Sequence, residues 1–132
     1  MIAFFLVCAL AGGALPLVTV ARGTMSSIDE PHQVVIRSQA EWVALWARHG
    51  AGQPAPIIDF TRRMAVGVFL GSRPSAGYSV EIVEVRTSGD GLVVAYREAV
   101  PARDRMVAQI ITAPFHLVSF DRQNGAVRFV RR

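Results

Sequence analysis

From residue 34 to residue 130 the chain alternates short β-like runs with turn residues, and one stretch departs from this by showing a helical period. Residues 34–37, Val-Val-Ile-Arg, read as a short strand of mainly β-branched residues. Ser38 and Glu41 then stand at capping-box spacing. Trp42, Leu45, Trp46 and His49 recur at i, i+3, i+4 and i+7, and Gly50 ends the pattern. This predicts an amphipathic helix of about three turns, with two tryptophans that must bury one face against something large. A sheet is the only candidate in the chain. His49 at the helix end can cap carbonyls and complement the dipole. Gly and Pro punctuate residues 51–57 as a loop, and Asp59-Phe60 introduces the second strand.

Residues 64–70, Met-Ala-Val-Gly-Val-Phe-Leu, are apolar on both phases, which predicts a central strand covered by the helix on one face and a second sheet on the other. In residues 78–85, Tyr78, Val80 and Ile82 share one phase while Val83 and Val85 take the other, the mark of a bulge or of a strand lying between two packing surfaces. Ser88-Gly89-Asp90-Gly91 predicts a hairpin into residues 92–97. A loop at 101–105 leads to two strand-like runs, 107–112 and 115–120, parted by Ala113-Pro114, where proline removes a ladder donor. Asn124-Gly125 is a two-residue hairpin signal ahead of the last strand, 127–130. The sum is one helix followed by about five further antiparallel strands: an α+β, mainly antiparallel β domain, built as a small sandwich or partly open barrel with the N-terminal helix packed on it.

The 132 residues, 52 % of them hydrophobic, suffice for one compact domain and an appendage. Residues 1–20 carry no charged side chain and match the apolar core of an export signal, with small residues that place a cut after Gly23 or after Ala21. No Lys or Arg precedes the run, and uncut it is about long enough to span a bilayer. The expected organisation is a signal peptide or membrane anchor at 1–23, a flexible segment at 24–33 and the domain at 34–132. The expected location is outside the cytoplasm: periplasm, cell envelope or secreted. Membrane contact is expected only through the N-terminal segment, if it stays uncleaved. Cys8, the single cysteine, lies in this run behind the bulky Phe5-Leu6-Val7, unlike a lipid-acceptor cysteine. The domain is therefore expected to be held by its apolar core and not by disulfides.

All 14 basic residues are arginines, and the formal net charge is +4. The arginines are scattered, and pairs such as Arg62-Arg63 lack the aromatic interleaving of a nucleic-acid platform, so no nucleic-acid partner is expected. His32, His49 and His116 have no second ligand at metal spacing, and neither a metal nor a cofactor is expected. Asp59, Ser75 and His116 are the nearest approach to a catalytic set, but such common residues are nearly always available in a chain this long, so the expectation is not an enzyme.

The contact chemistry concentrates in Arg73-Pro74-Ser75-Ala76-Gly77-Tyr78. Pro74 presets its own φ and extends Arg73, Gly77 supplies a positive φ, and the loop can hold Arg73 and Tyr78, residue types common as interface anchors. The bland alternative is that Tyr78 opens a strand and buries its ring. Loops 101–105 and 113–115 are its expected neighbours.

Several segments together resemble the C-terminal domain of the protease complex subunit PrcB family. They are Glu41-Trp42-x-x-Leu45-Trp46, Ile58-Asp59-Phe60, residues 68–80 with Gly71-x-Arg73-Pro74-Ser75-x-Gly77-Tyr78, and Thr112-x-Pro114-Phe115-His116. The resemblance spans roughly residues 34–130. Ser75 and Ala76 stand where that family more usually has Thr and Gly; the hydroxyl is kept. The family is named for a bacterial envelope protein that helps a surface protease complex form. The resemblance therefore implies a non-catalytic accessory domain with a protein partner, a protease among the candidates, contacted through Arg73, Pro74, Ser75, Gly77, Tyr78, Pro114 and Phe115. Pro74-Ser75-Ala76-Gly77-Tyr78 is also similar, over these residues alone, to the binding loop of chagasin-like cysteine-protease inhibitors, which implies an inhibitor as the alternative.

Overall fold

The computed structural model describes residues 12–132. Its elements in chain order are β1 (Val18–Gly23), β2 (His32–Ile36), helix α1 (Gln39–His49), β3 (Arg63–Phe69), β4 (Ser79–Ser88), β5 (Gly91–Ala99), β6 (Phe115–Asp121) and β7 (Val127–Arg131). They form two stacked sheets, one ordered β1-β6-β3-β2 and the other β4-β5-β7. The architecture is thus a small sandwich with one helix, whose two sheets remain separate and close no barrel.

Helix α1 forms as its sequence requires. The Ser38 side chain accepts from the Glu41 backbone N–H, and Gly50 closes the helix at φ 66° while its N–H reaches the Trp46 carbonyl. Trp42, Leu45 and Trp46 are buried on the outer face of the first sheet against Ile36, Ala65, Phe69, Phe115 and Leu117. Both indole N–H groups stay satisfied, since Trp42 donates to the Pro56 carbonyl at 2.9 Å and Trp46 to that of Gln53 at 2.8 Å. The loop at 51–57 therefore works as the acceptor for the helix's two largest side chains. On the inner face of the same sheet, Met64, Val66, Val68, Leu70, Val118 and Phe120 meet Val80, Ile82, Val85, Leu92 and Val94 of the second sheet. β3 lies between these two cores and is central, as its unbroken apolar run predicts.

The β4–β5 hairpin turns at Gly89-Asp90, and the expected bulge falls between Ile82 and Glu84. Three expectations are corrected. Asp59 begins a turn, capped by Thr61 N–H and Oγ1 on its Oδ1, and the strand starts only at Arg63. Residues 107–111 form no strand; they line the 73–78 loop instead, with Ala76 N–H bonded to the Ala108 carbonyl. Asn124-Gly125 makes no hairpin, since β7 crosses to the other sheet and pairs in parallel with β5. The crossing passes so close to the Gly89-Asp90 turn that a Cβ on Gly125, at φ 98°, would collide with the Asp90 carbonyl. Residues 18–23, part of the run resembling an export signal, form strand β1, which pairs antiparallel with β6 from Val18↔Ser119 to Gly23↔Phe115. Sheet structure thus begins well ahead of residue 34.

Candidate functional site

β1, β3 and β5 end at one pole of the sandwich, where β2, β4 and β6 begin, so the connecting segments 24–31, 70–78 and 100–114 gather there. Backbone bonds lace them together. Arg73 and Thr112 exchange N–H···O bonds of 2.7 and 3.0 Å, Leu70 N–H reaches the Pro114 carbonyl, and Ser72 N–H reaches that of Asp29. Ser26 and Thr24 pair with Ala113 from the other side. Gly71, at φ 80°, passes so close to Glu30 and Pro31 that a Cβ would lie 2.8 Å from the Pro31 nitrogen.

Several residues expected to contact a partner prove to build this frame. Ser75 is only 7 % exposed; its hydroxyl donates to the Ala76 carbonyl, and its own carbonyl accepts from Thr112 Oγ1. Pro114 and Phe115 are buried, the latter stacked on Phe69. Arg73 is half-buried with its donors engaged: Nη1 bonds the Leu70 and Ser72 carbonyls, and Nη2 bonds Glu98 at 3.0 Å. Its guanidinium carbon also stands 5.9 Å from the centroid of the Tyr78 ring. These four positions hold the frame, because a loop that keeps its shape uses its polar and bulky groups inwardly. Pro74 and Gly77 are exposed and Tyr78 is half-buried, so these three keep access to the surface.

The pole instead presents an apolar surface that the strand pattern of residues 107–112 concealed. Met106 is 96 % exposed, Ile111 71 % and Val100 65 %, with Ile110 beside them. Met25, 66 % exposed, joins through its bridge to Ala113. Pro101 and Val107 pack against Gly77, which ties this apolar loop to the Pro74–Tyr78 turn. Arg103, Asp104 and Arg105 rim it, all exposed. Next to it a cleft of about 400 Å³ opens between the sheets, lined by His32, Gln33, Tyr96 and the Arg73–Glu98 pair. Gln33 and Tyr96 join across it at 3.2 Å.

Asp59, Ser75 and His116 are each engaged separately. His116, buried between the sheets, accepts the Ile82 N–H on Nδ1 at 2.8 Å and faces Thr19 Oγ1 with Nε2 at 3.0 Å. Burial, and secondarily Arg22, push its pKa down to about 4 against a smaller opposing pull from Glu81. His49 is not a carbonyl cap: its Nδ1 bonds Ser26 Oγ at 2.8 Å under the Phe115 ring, and burial lowers its pKa. Asp59 is exposed and held below the usual carboxylate range by its bonds from Thr61. Ser75, His116 and Asp59 each bond elsewhere, and none of those bonds reaches another of the three. Among the described residues, no group of three or more His, Cys, Asp or Glu side chains is placed to hold a metal. No helix among them is long and apolar enough to cross a membrane.

Fold and site together define a helix-backed β-sandwich domain with a rigidly laced loop pole. Residues 64–121, which run from β3 through both site loops to the end of β6, match the family described as PrcB C-terminal. The matched span is narrower than residues 34–130; β1, β2, α1 and β7 lie outside it. No curated protein and no solved structure matches the chain.

Proposed function

We propose that this domain is a non-catalytic accessory module, acting outside the cytoplasm, that docks through its loop pole on a protein partner belonging to an envelope protease complex. One observation carries the reading: Met106, Ile111 and Val100 stand in water on a loop whose backbone is tied to its neighbours. Solvent-facing apolar side chains on an ordered frame are what an interface core requires, because the loss of loop entropy on binding is small when the loop is already fixed. Tyr78 adds a rigid amphipathic ring beside them, and Arg103 and Arg105 supply a polar rim. The association with a protease complex is supported by the match of residues 64–121 to the PrcB C-terminal family.

The test is capture of partners from the native cell envelope by the full chain, compared with a Met106→Asp/Ile111→Asp variant. The wild type should retain a protein that the variant loses, with both unfolding at the same temperature. Equal capture by the two would sink the reading. An inhibitor would instead suppress a papain-like or serine protease in a purified assay, where an accessory module leaves turnover unchanged.

A further inference from the structure

The residues that resemble the end of an export signal are, in the folded protein, a strap across both sheets. The chain enters at the pole opposite the site, where Gly13 exchanges bonds with Thr87 (N–H to Oγ1 at 2.9 Å, carbonyl from Thr87 N–H at 3.0 Å) and Leu15 N–H reaches the Val85 carbonyl. It then changes sheets. Leu15 and Leu17 pack on the inner core, whereas Val20 and Ala21 pack on the core beneath the helix. Thr19 meets the buried His116, and Arg22 Nε donates to the Val80 carbonyl at 3.1 Å, so β1 ties β6 to β4. Immediately after it, Thr24 accepts the Ala113 N–H that anchors the site loop.

From this we infer that the bonds after Ala21 and Gly23 stay intact in the working protein, and that any processing falls N-terminal to Gly12. A cut after Gly23 would strip β6 of one of its two neighbours, leave the Nε2 of a buried histidine unpaired and release one side of the site loop. A second consequence is geometric. β4 runs the length of the sandwich, with Ser79 at the site pole and Ser88 next to the N-terminal entry, and ten residues of strand span roughly 30 Å. The described chain therefore enters the sandwich at the end opposite the apolar loop.

Trypsin digestion of the folded full chain reads the inference directly, because the basic residues are all arginines and Arg22 is the first of them. A seated β1 protects the Arg22–Gly23 bond, which should be cut at least about ten-fold more slowly than the bonds after Arg103 and Arg105 in the exposed loop. Intact mass of the protein recovered from its native envelope should show an N-terminus at or before Gly12. Cleavage at Arg22 as fast as at Arg103, or a native N-terminus at Arg22 or Thr24, overturns the inference. Neither result depends on a partner, so it can fail while the docking proposal stands, and the reverse.

Discussion

His116 gives the sharpest test of how the two sheets are joined. Its Nδ1 is occupied by the Ile82 N–H, so the ring must be neutral with its proton on Nε2 facing Thr19; a second proton would set two donors against each other. The charged groups that face it are Arg22, which opposes protonation, and Glu81, which favours it more weakly. The folded ring titrates near 4, against the ordinary 6.5 that the unfolded chain retains. Between these values the unfolded state binds the proton and the folded state does not, so stability falls as pH drops from about 6.5 to about 4, with no further loss from this group below that. At ~1.4 kcal/mol per pH unit the ceiling is about 3 kcal/mol, and solvent screening brings the expected loss to about 2 kcal/mol. Urea unfolding at intervals across this pH range measures it, with His116→Asn as the reference, since that variant keeps an acceptor near Ile82 but does not titrate. The wild type should lose about 2 kcal/mol more than the variant over the window. Parallel pH profiles would refute the clasp.

Three further outcomes follow from the packing. Trp42→Ala should destabilise by about 3–5 kcal/mol, read by chemical denaturation, because it opens a cavity under the helix and leaves the Pro56 carbonyl without its donor. Glu98→Gln removes the carboxylate from a pair only 25 % and 15 % exposed, and should cost about 1–3 kcal/mol while raising hydrogen exchange in residues 70–78. Gly125→Ala should cost about 2–3 kcal/mol in the same denaturation assay, because of its positive φ and the Asp90 carbonyl in the way; a cost under about 0.5 kcal/mol would contradict the described crossing to β7.

The elements readable from sequence are those decided locally. The helix announces itself through Ser38, Glu41 and Gly50, the hairpin through Gly89-Asp90, and the central strand through an apolar run too dense for one exposed face. What escaped was decided by distant neighbours. Asn124-Gly125 is a sound local hairpin signal, yet the edge of β5 was free and won β7 in parallel. Residues 107–111 have strand composition but pack along the 73–78 loop, where the Ala108 carbonyl accepts from Ala76 N–H, and this loop leaves Met106, Ile110 and Ile111 exposed. β1 was hidden because Val18-Thr19-Val20, β-branched throughout, sits at the end of an uncharged run that has the same hydropathy as an export signal. The loop pole was legible in position, and the inward use of its side chains was not. A turn rich in Arg, Pro, Ser and Gly looks alike whether its side chains point to a partner or hold the loop, and here Arg73 and Ser75 do the latter.

The docking claim is met most directly by site-specific photo-crosslinking in the native envelope, with a photoreactive amino acid in place of Met106 at the loop pole or of Asp90 at the opposite one; both positions are exposed. The account predicts a covalent adduct with a single protein species from position 106 and none from position 90. An adduct from position 90 alone, or none from either, would contradict it.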